Sequence, residues 1–143
     1  MDHLLESKLQ RHYKIIEFLM FKNWIPTNEV SHQTGIPDRT IQKDVGEINT
    51  YISPARIETS VKFGIRIRYE YNLNAFYVFS SLYRQSSRFQ ILEEVFINNY
   101  KTLNELADQL SISDSTLKRK IKRLNDELKP YEFAIDSIHM DIV

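Results

Sequence analysis

Cationic side chains concentrated in one short stretch, SDSTLKRKIKRLNDEL at positions 113–128, are the groups in this sequence best placed to do chemistry. Five of the six residues from Lys118 to Arg123 are Lys or Arg, although the whole chain has 19 basic and 19 acidic residues. Lysine and arginine bind phosphate oxygens, and arginine also donates two hydrogen bonds to a guanine edge. The stretch therefore predicts a surface for a polyanion, with its charge placed locally rather than spread over the chain.

The spacing of the apolar residues in this stretch indicates which side chains point away from the core. They recur at i, i+4, i+7 and i+11, which is the buried stripe of an α-helix: Leu117, Ile121, Leu124 and Leu128. The remaining surface offers candidate contacts to phosphates and base edges: Ser115, Thr116, Lys118, Arg119, Lys122 and Arg123. A solvated helix face is the alternative, but Arg119 and Lys120 lack acidic partners four residues away, which favours a ligand.

A shorter helix is predicted immediately before the basic one, in TLNELADQLSI at positions 102–112. The small residue Ala107 lets the two helices cross closely, and Ile112 and Leu117, five and ten positions later, seal their underside. A short helix, a tight turn and a basic second helix form the helix-turn-helix arrangement, whose second helix enters the DNA major groove.

The first half of the chain repeats this arrangement, with helices predicted over Leu9 to Lys22, Thr27 to Thr34 and Pro37 to Ile52. Gly35 suits the left-handed C-cap of the second helix, and Pro37 suits the first turn of the third. The third helix has a buried stripe of its own: Ile41, Val45, Ile48 and Ile52.

The outward side of this third helix carries a mixed set of charges. Its candidate DNA contacts are Arg39, Thr40, Gln42 and Lys43, and a glutamine such as Gln42 can pair with adenine. The same side is predicted to expose three acidic residues: Asp38, Asp44 and Glu47. We therefore expect the basic helix of the second half to anchor the protein on DNA and this helix to discriminate between sequences.

A β-hairpin is predicted after the third helix, from two runs rich in β-branched and aromatic residues at positions 56–60 and 65–71. The turn between them is Lys62-Phe63-Gly64, where glycine can supply a positive φ. A hairpin in this place makes the unit a winged helix, and its candidate contacts to phosphate or the minor groove are Lys62, Arg66 and Arg68.

An internal repeat relates the two halves at an offset of 76 residues, at which Thr40 corresponds to Thr116 and Asn49 to Asn125. We predict a mainly α fold with small β-wings: a winged helix-turn-helix at 1–71, a linker helix at 72–86 and a second winged helix-turn-helix at 87–143. Details predicted for the later part are a helix N-cap at Ser87, a capping box of Thr102 and Glu105, and a second hairpin from Phe133, Ile135 and Ile138.

Several other functions are excluded or disfavoured by composition. The chain has no cysteine, which excludes disulfides and suits a reducing cytoplasm, and it has no apolar run long enough for a membrane span. The four histidines lack metal-ligand spacing, and there is no phosphate loop, nucleophile elbow or dinucleotide fingerprint. We predict a cytoplasmic protein that is not an enzyme and uses no cofactor or metal.

Two segments also resemble known families. RTIQKDVGEIN, from Arg39 to Asn49, resembles the recognition helix of DeoR-like regulators of sugar operons, and the segment from Phe89 to Leu128 resembles the second helix-turn-helix of the Mga/AtxA group of virulence regulators. In tandem they resemble the N-terminal DNA-binding region of that group. The resemblance places the family's DNA-reading positions at Arg39, Thr40, Gln42 and Lys43 and at Ser115, Thr116, Lys118, Arg119 and Lys122.

The resemblance implies the N-terminal piece of a longer bacterial transcription regulator, an activator of virulence or sugar-utilisation genes. Its partners would be double-stranded promoter DNA and RNA polymerase, and it would dimerise through domains absent from this chain. Phosphotransferase-system regulatory domains, controlled by histidine phosphorylation, would follow.

Two other functions fit the same pattern. Winged helices also serve as protein-interaction modules, in which case the basic helix would meet an acidic partner protein. Plasmid replication initiators likewise use tandem winged helices and bind short direct repeats at an origin.

Overall fold

A computed structural model describes residues 2–98 and 102–136, and these residues form a mainly helical fold with one small antiparallel sheet. The helices are α1 (Ser7–Leu19), α2 (Thr27–Thr34), α3 (Asp38–Asn49), α4 (Ala75–Arg84), α5 (Ser87–Asn98), α6 (Leu103–Gln109) and α7 (Asp114–Leu128). The strands are β1 (Arg56–Ser60) and β2 (Gly64–Arg68). The chain divides into two compact units, Asp2–Gln85 and the residues from Ser86 onward.

The helix-turn-helix of the first unit is α2 and α3, and α1 packs against both. Gly35 ends α2 in the left-handed conformation (φ 72°), and its N–H donates to the carbonyl of Ser31, which confirms the predicted cap. Pro37 is the N-cap of α3 rather than part of its first turn. The predicted stripe of α3 is buried along its whole length, including Ile52. The helix itself ends at Asn49, after which the Thr50 N–H donates to the Glu47 carbonyl.

The wing of the first unit pairs β1 with β2 from Arg56 opposite Arg68 to Ser60 opposite Gly64. Ile25 extends this sheet by a one-residue antiparallel bridge to β2, because it exchanges backbone hydrogen bonds of 2.9 and 2.8 Å with Ile65. Gly64 has φ 94°, and a Cβ there would lie 1.9 Å from the Ile25 carbonyl oxygen. Glycine is therefore required for this close approach as well as for the turn.

The helix predicted as a linker, α4, packs against α1 within the first unit. Asn74 caps its start by accepting from the Tyr77 N–H, and the Phe79 ring contacts Tyr13 with centroids 5.1 Å apart. The spacing of Phe76, Phe79, Leu82 and Tyr83 predicts a buried stripe on this helix, and the prediction is wrong at Phe76, whose side chain is 78% exposed. The division at positions 71 and 86 stays a prediction.

The second unit is built from α5, α6 and α7, with fully buried Leu106 and Leu117 in its core. Thr102 and Ser113 cap α6 and α7 by accepting backbone N–H groups, as the sequence predicts for Thr102. The N-cap predicted at Ser87 is wrong by one residue, because the hydroxyl of buried Ser86 accepts from the Phe89 N–H.

The predicted second wing is only partly covered by the described residues. Ile135 is buried and Phe133 is half exposed, whereas Ile138 lies outside the described residues. In the part of the chain that the structure describes, no helix has the length and apolar character needed to cross a bilayer.

Candidate nucleic-acid interface

The surface of α7 opposite its buried stripe carries the candidate contacts predicted in the second unit. Leu117, Ile121, Leu124 and Leu128 all face the core, as their spacing predicts. The opposite side exposes Ser115, Lys118, Arg119, Lys122 and Arg123, while Thr116 is half-buried at its edge. We call these six residues the α7 basic face.

The local contacts of α7 leave the charge of this face largely available. Among the described residues, Lys118, Lys122 and Arg123 form no ion pair, and Arg119 donates only to the Thr116 hydroxyl, at 3.4 Å. Lys120 differs, because its ammonium donates to the Ser87 hydroxyl on α5 at 3.0 Å. The Lys120 ammonium is thus directed toward α5 and is not part of the α7 basic face, although Lys120 belongs to the same run of cations.

The outward side of α3 carries the candidate contacts of the first unit. Arg39, Gln42 and Lys43 are exposed, and Thr40 is half-buried. A groove separates this helix from the wing, and polar side chains of α2, α3 and the hairpin line it: Thr27, Asn28, Gln42, Ser60 and Lys62. We call Arg39, Thr40, Gln42 and Lys43 the α3 face.

The prediction that Asp44 is exposed on this side is wrong, because its carboxylate is fully buried against α1. Both its oxygens accept from the guanidinium of Arg11, at 2.5 and 2.9 Å. Glu47 also turns toward α1, where its carboxylate lies 3.2 Å from the Lys8 ammonium. Asp38 is therefore the acidic residue of α3 that stays exposed, and the α3 face is less acidic than its sequence suggests.

A buried histidine completes this polar cluster between α1 and α3. His12 is 1% exposed, and its Nδ1 lies 3.0 Å from the Tyr51 hydroxyl, while its Nε2 lies 3.4 Å from Asp44 and 3.6 Å from Glu47. Burial lowers the pKa of His12, although the two carboxylates oppose the shift. Burial alone would raise the pKa of Asp44, but the hydrogen bond from Arg11 and the neighbouring charges outweigh it, and the pKa is lowered.

Three members of this cluster, His12, Asp44 and Glu47, have the donor atoms of a metal site within 4.8 Å of one another. Their carboxylates are already neutralised, however, by the guanidinium of Arg11 and the ammonium of Lys8. A divalent ion would stand beside two fixed cations, which is electrostatically unfavourable. The cluster is better explained as an ion-pair network that joins α1 to α3.

The histidine makes the stability of the first unit depend on pH. Since the pKa of His12 is lower in the folded chain than its ordinary 6.5, the unfolded chain binds the proton more readily. The contribution of His12 to the free energy of unfolding is therefore fully present above about pH 6.5. Below that pH the free energy of unfolding should fall, by at most about 1.4 kcal/mol per pH unit. The change in stability is measured from the urea midpoints of unfolding at about pH 7.5 and about pH 5.5. His12→Gln, whose side chain does not titrate, is the control. An equal pH dependence in wild type and His12→Gln would contradict the prediction.

The three cations predicted in the wing differ in their availability. Arg66 donates to Glu58 at 2.8 Å and lies 4.5 Å from the centre of the Trp24 ring, and Arg68 contacts the same carboxylate at 3.2 Å. These two bonds lower the pKa of Glu58. Lys62, at the tip of the hairpin, is exposed, and among the described residues its ammonium contacts the Phe63 ring alone, at 5.1 Å. Lys62 is thus the wing cation best able to reach a phosphate.

Residues of α1 and two asparagines were missed by sequence reasoning. Arg11 and His12 gave no signal beyond their place near the predicted core, because their partners are more than 30 positions away. Asn49 and Asn125 did carry a signal, since they correspond at the offset of 76 residues. Asn49 bonds to Ile57 in β1, which follows α3, and Asn125 bonds to Ile135, which follows α7.

Comparison with known proteins matches both units to regulator families. Residues 6–60 match the helix-turn-helix domain of the M protein trans-acting positive regulator, and residues 71–142 match the Mga helix-turn-helix domain. A capsule synthesis positive regulator of Bacillus anthracis, AcpB, is 28% identical over 129 residues, which cover 89% of this chain and 27% of that protein.

Two other relatives cover nearly the same region. A protein of Streptococcus pneumoniae that carries the name of a trans-acting regulator is 26% identical over all of this chain and 29% of its own length. The capsule synthesis positive regulator AcpA of Bacillus anthracis is 22% identical over 97% of this chain and 29% of that protein. The chain thus spans less than a third of the length of the curated relatives it matches.

Proposed function

Since this chain belongs to the Mga family of DNA-binding helix-turn-helix regulators, we propose that its two units recognise double-stranded promoter DNA in a sequence-specific way. The observation that carries the proposal is the α7 basic face, whose cations stand opposite a fully buried stripe in a helix-turn-helix. A helix with such a face can enter the major groove and reach phosphates and base edges.

Within the α7 basic face, the proposed roles follow from chemistry and position. Arg119 and Lys122 lie at its centre and would reach guanine edges or phosphates. Lys118 and Arg123 would contact phosphates, and Ser115 and Thr116, near the N-terminus of α7, would accept or donate hydrogen bonds at the backbone. This helix would supply most of the affinity.

The α3 face would supply discrimination between sequences. Gln42 can pair with adenine, and Arg39 and Lys43 can bind guanine or phosphate. Burial of Asp44 supports this role, because it removes a negative charge from the side that would meet DNA. Lys62 and, more weakly, Arg66 would add contacts from the wing.

We also propose that this chain is the DNA-binding part of a longer transcription activator, which would act in the cytoplasm. Two relatives are named as positive regulators of capsule synthesis, which supports a target among virulence genes, with sugar-utilisation genes as the other class. Contact with RNA polymerase and dimerisation would involve segments outside this chain.

Salt dependence of binding tests the proposal directly. If six or more phosphates are contacted, log affinity should fall against log salt with a slope of about −5 or steeper. Fluorescence anisotropy with a labelled random duplex, between about 50 and 200 mM salt, measures the slope. Absence of binding to any duplex at low salt would contradict the proposal and favour the protein-interaction module.

A further inference from the structure

The side chain of Asn49, at the last position of α3, is hydrogen-bonded to the first strand of the wing through both the nitrogen and the oxygen of its amide. Its Nδ2 donates to the Ile57 carbonyl at 2.9 Å, and its Oδ1 accepts the Ile57 N–H at 2.8 Å. In an antiparallel pair, every second residue directs its backbone N–H and C=O away from the partner strand. The Asn49 side chain bonds to these two groups of Ile57 as a neighbouring strand would. Only a primary amide of this length supplies a donor and an acceptor side by side.

The same arrangement occurs in the second unit. Asn125, in the last turns of α7, donates to the Ile135 carbonyl at 3.0 Å and accepts its N–H at 2.7 Å. Ile135 is 2% exposed and Ile57 is 1% exposed, so each amide bonds to a residue anchored in the core. The recurrence at equivalent positions indicates a shared feature of both units rather than a local accident.

We propose that Asn49 and Asn125 are positioning residues for DNA binding, which fix the segment after each DNA-reading helix to that helix, at Ile57 of β1 in the first unit and at Ile135 in the second. The inference rests on the proposed function and deepens it, because it concerns how wing and helix engage one duplex together. In the first unit, β1 ends at Ser60, three residues or about 10 Å along the strand from Ile57, and Lys62 lies two residues farther on, in the turn. A small rotation at Ile57 therefore moves the ammonium of Lys62 by more than a hydrogen bond tolerates.

The Ile25–Ile65 pair also holds the first wing, on its other strand. Loss of the Asn49 amide should therefore loosen the wing without releasing it, and the unit should stay folded. The expected effect is a loss of coordination between helix and wing, which stability measurements do not report.

A double-mutant cycle on the 143-residue chain tests the inference. Lys62→Ala should lower affinity for duplex DNA about fivefold in the wild-type background, as loss of one charged contact does. In the Asn49→Ala background the same change should cost less than about twofold, because the tip is no longer held against the phosphate. Thr50→Ala is the matched control, since Thr50 follows Asn49 but its hydroxyl bonds within α3, to Glu47. Its effect should add to that of Lys62→Ala.

Additive effects of Asn49→Ala and Lys62→Ala would overturn the inference, and so would an unchanged affinity of Lys62→Ala alone. Failure of the wild-type chain to bind any duplex would instead overturn the proposed function, and the two failures are thus distinguishable. If Asn49→Ala does not fold, Asn49→Gln replaces it. That variant keeps both hydrogen-bonding groups but displaces the strand by about one methylene, and it should likewise remove the coupling with Lys62.

Discussion

Replacing Arg119 and Lys122 together with alanine is expected to lower affinity for duplex DNA by more than about 100-fold while the second unit stays folded. Both side chains are exposed at the centre of the α7 basic face, so the change removes charge without opening a cavity. The corresponding pair on the α3 face, Arg39→Ala with Lys43→Ala, should weaken binding only about tenfold, because Asp38 already offsets part of its charge.

The matched control for this experiment is Lys120→Ala. Lys120 belongs to the same helix and the same run of cations, and its loss changes the net charge as much as Lys122→Ala does. Its ammonium is bonded to Ser87, however, and does not lie on the α7 basic face. Anisotropy titrations should therefore show a much smaller effect for Lys120→Ala than for Lys122→Ala. Equal losses from the α3 and α7 pairs would show that the two helices have been ranked wrongly.

The elements that could be predicted from sequence are those determined by local spacing. The apolar stripes of α3 and α7 are buried as their periodicity predicts, because a helix places i, i+4 and i+7 on one side whatever surrounds it. Caps at Gly35 and Thr102 were predictable for the same reason, since each depends on residues within four positions. The helix-turn-helix of each unit follows from such local rules.

The features that could not be predicted depend on partners distant in sequence. Asp44 lies three residues after Ile41, on the buried side, but a buried carboxylate is stable only beside a cation, and Arg11 is 33 positions away. Polarity alone therefore placed it at the surface. The prediction for α4 was correct at Leu82 and wrong at Phe76, because the buried side of the helix carries Val78, Ser81 and Leu82.

Among the candidate site residues, Arg66 shows how strand register could have refined the prediction. In the observed pairing it stands opposite Glu58, and opposite charges across a strand pair attract. The observed turn lies at positions 61–63, one residue before the predicted turn at 62–64, and only the observed register places these two residues opposite each other. Lys62 lies within the turn itself, has no cross-strand partner and keeps its charge for a ligand.

Asp44→Ala is expected to destabilise the first unit by about 3 kcal/mol. The carboxylate is fully buried and accepts two hydrogen bonds from the Arg11 guanidinium, so its removal leaves that guanidinium without its acceptor. Loss of one partner of a buried pair costs about 3–5 kcal/mol, and the lower value applies because Arg11 is 33% exposed and regains water. Since small domains have only about 5–15 kcal/mol in total, the urea midpoint should fall clearly.

Two comparisons separate the ion pair from a general effect of the mutation. Asp38→Ala removes the same side chain from the exposed first turn of the same helix and should cost at most about 1 kcal/mol. Arg11→Met combined with Asp44→Leu replaces the whole pair by apolar groups and should be more stable than Asp44→Ala alone, because no charge is then left unpaired. A cost for Asp44→Ala no larger than that for Asp38→Ala would contradict the prediction. It would also mean that the charge of Asp44 reaches solvent, and the α3 face would then carry the acidity that its sequence suggests.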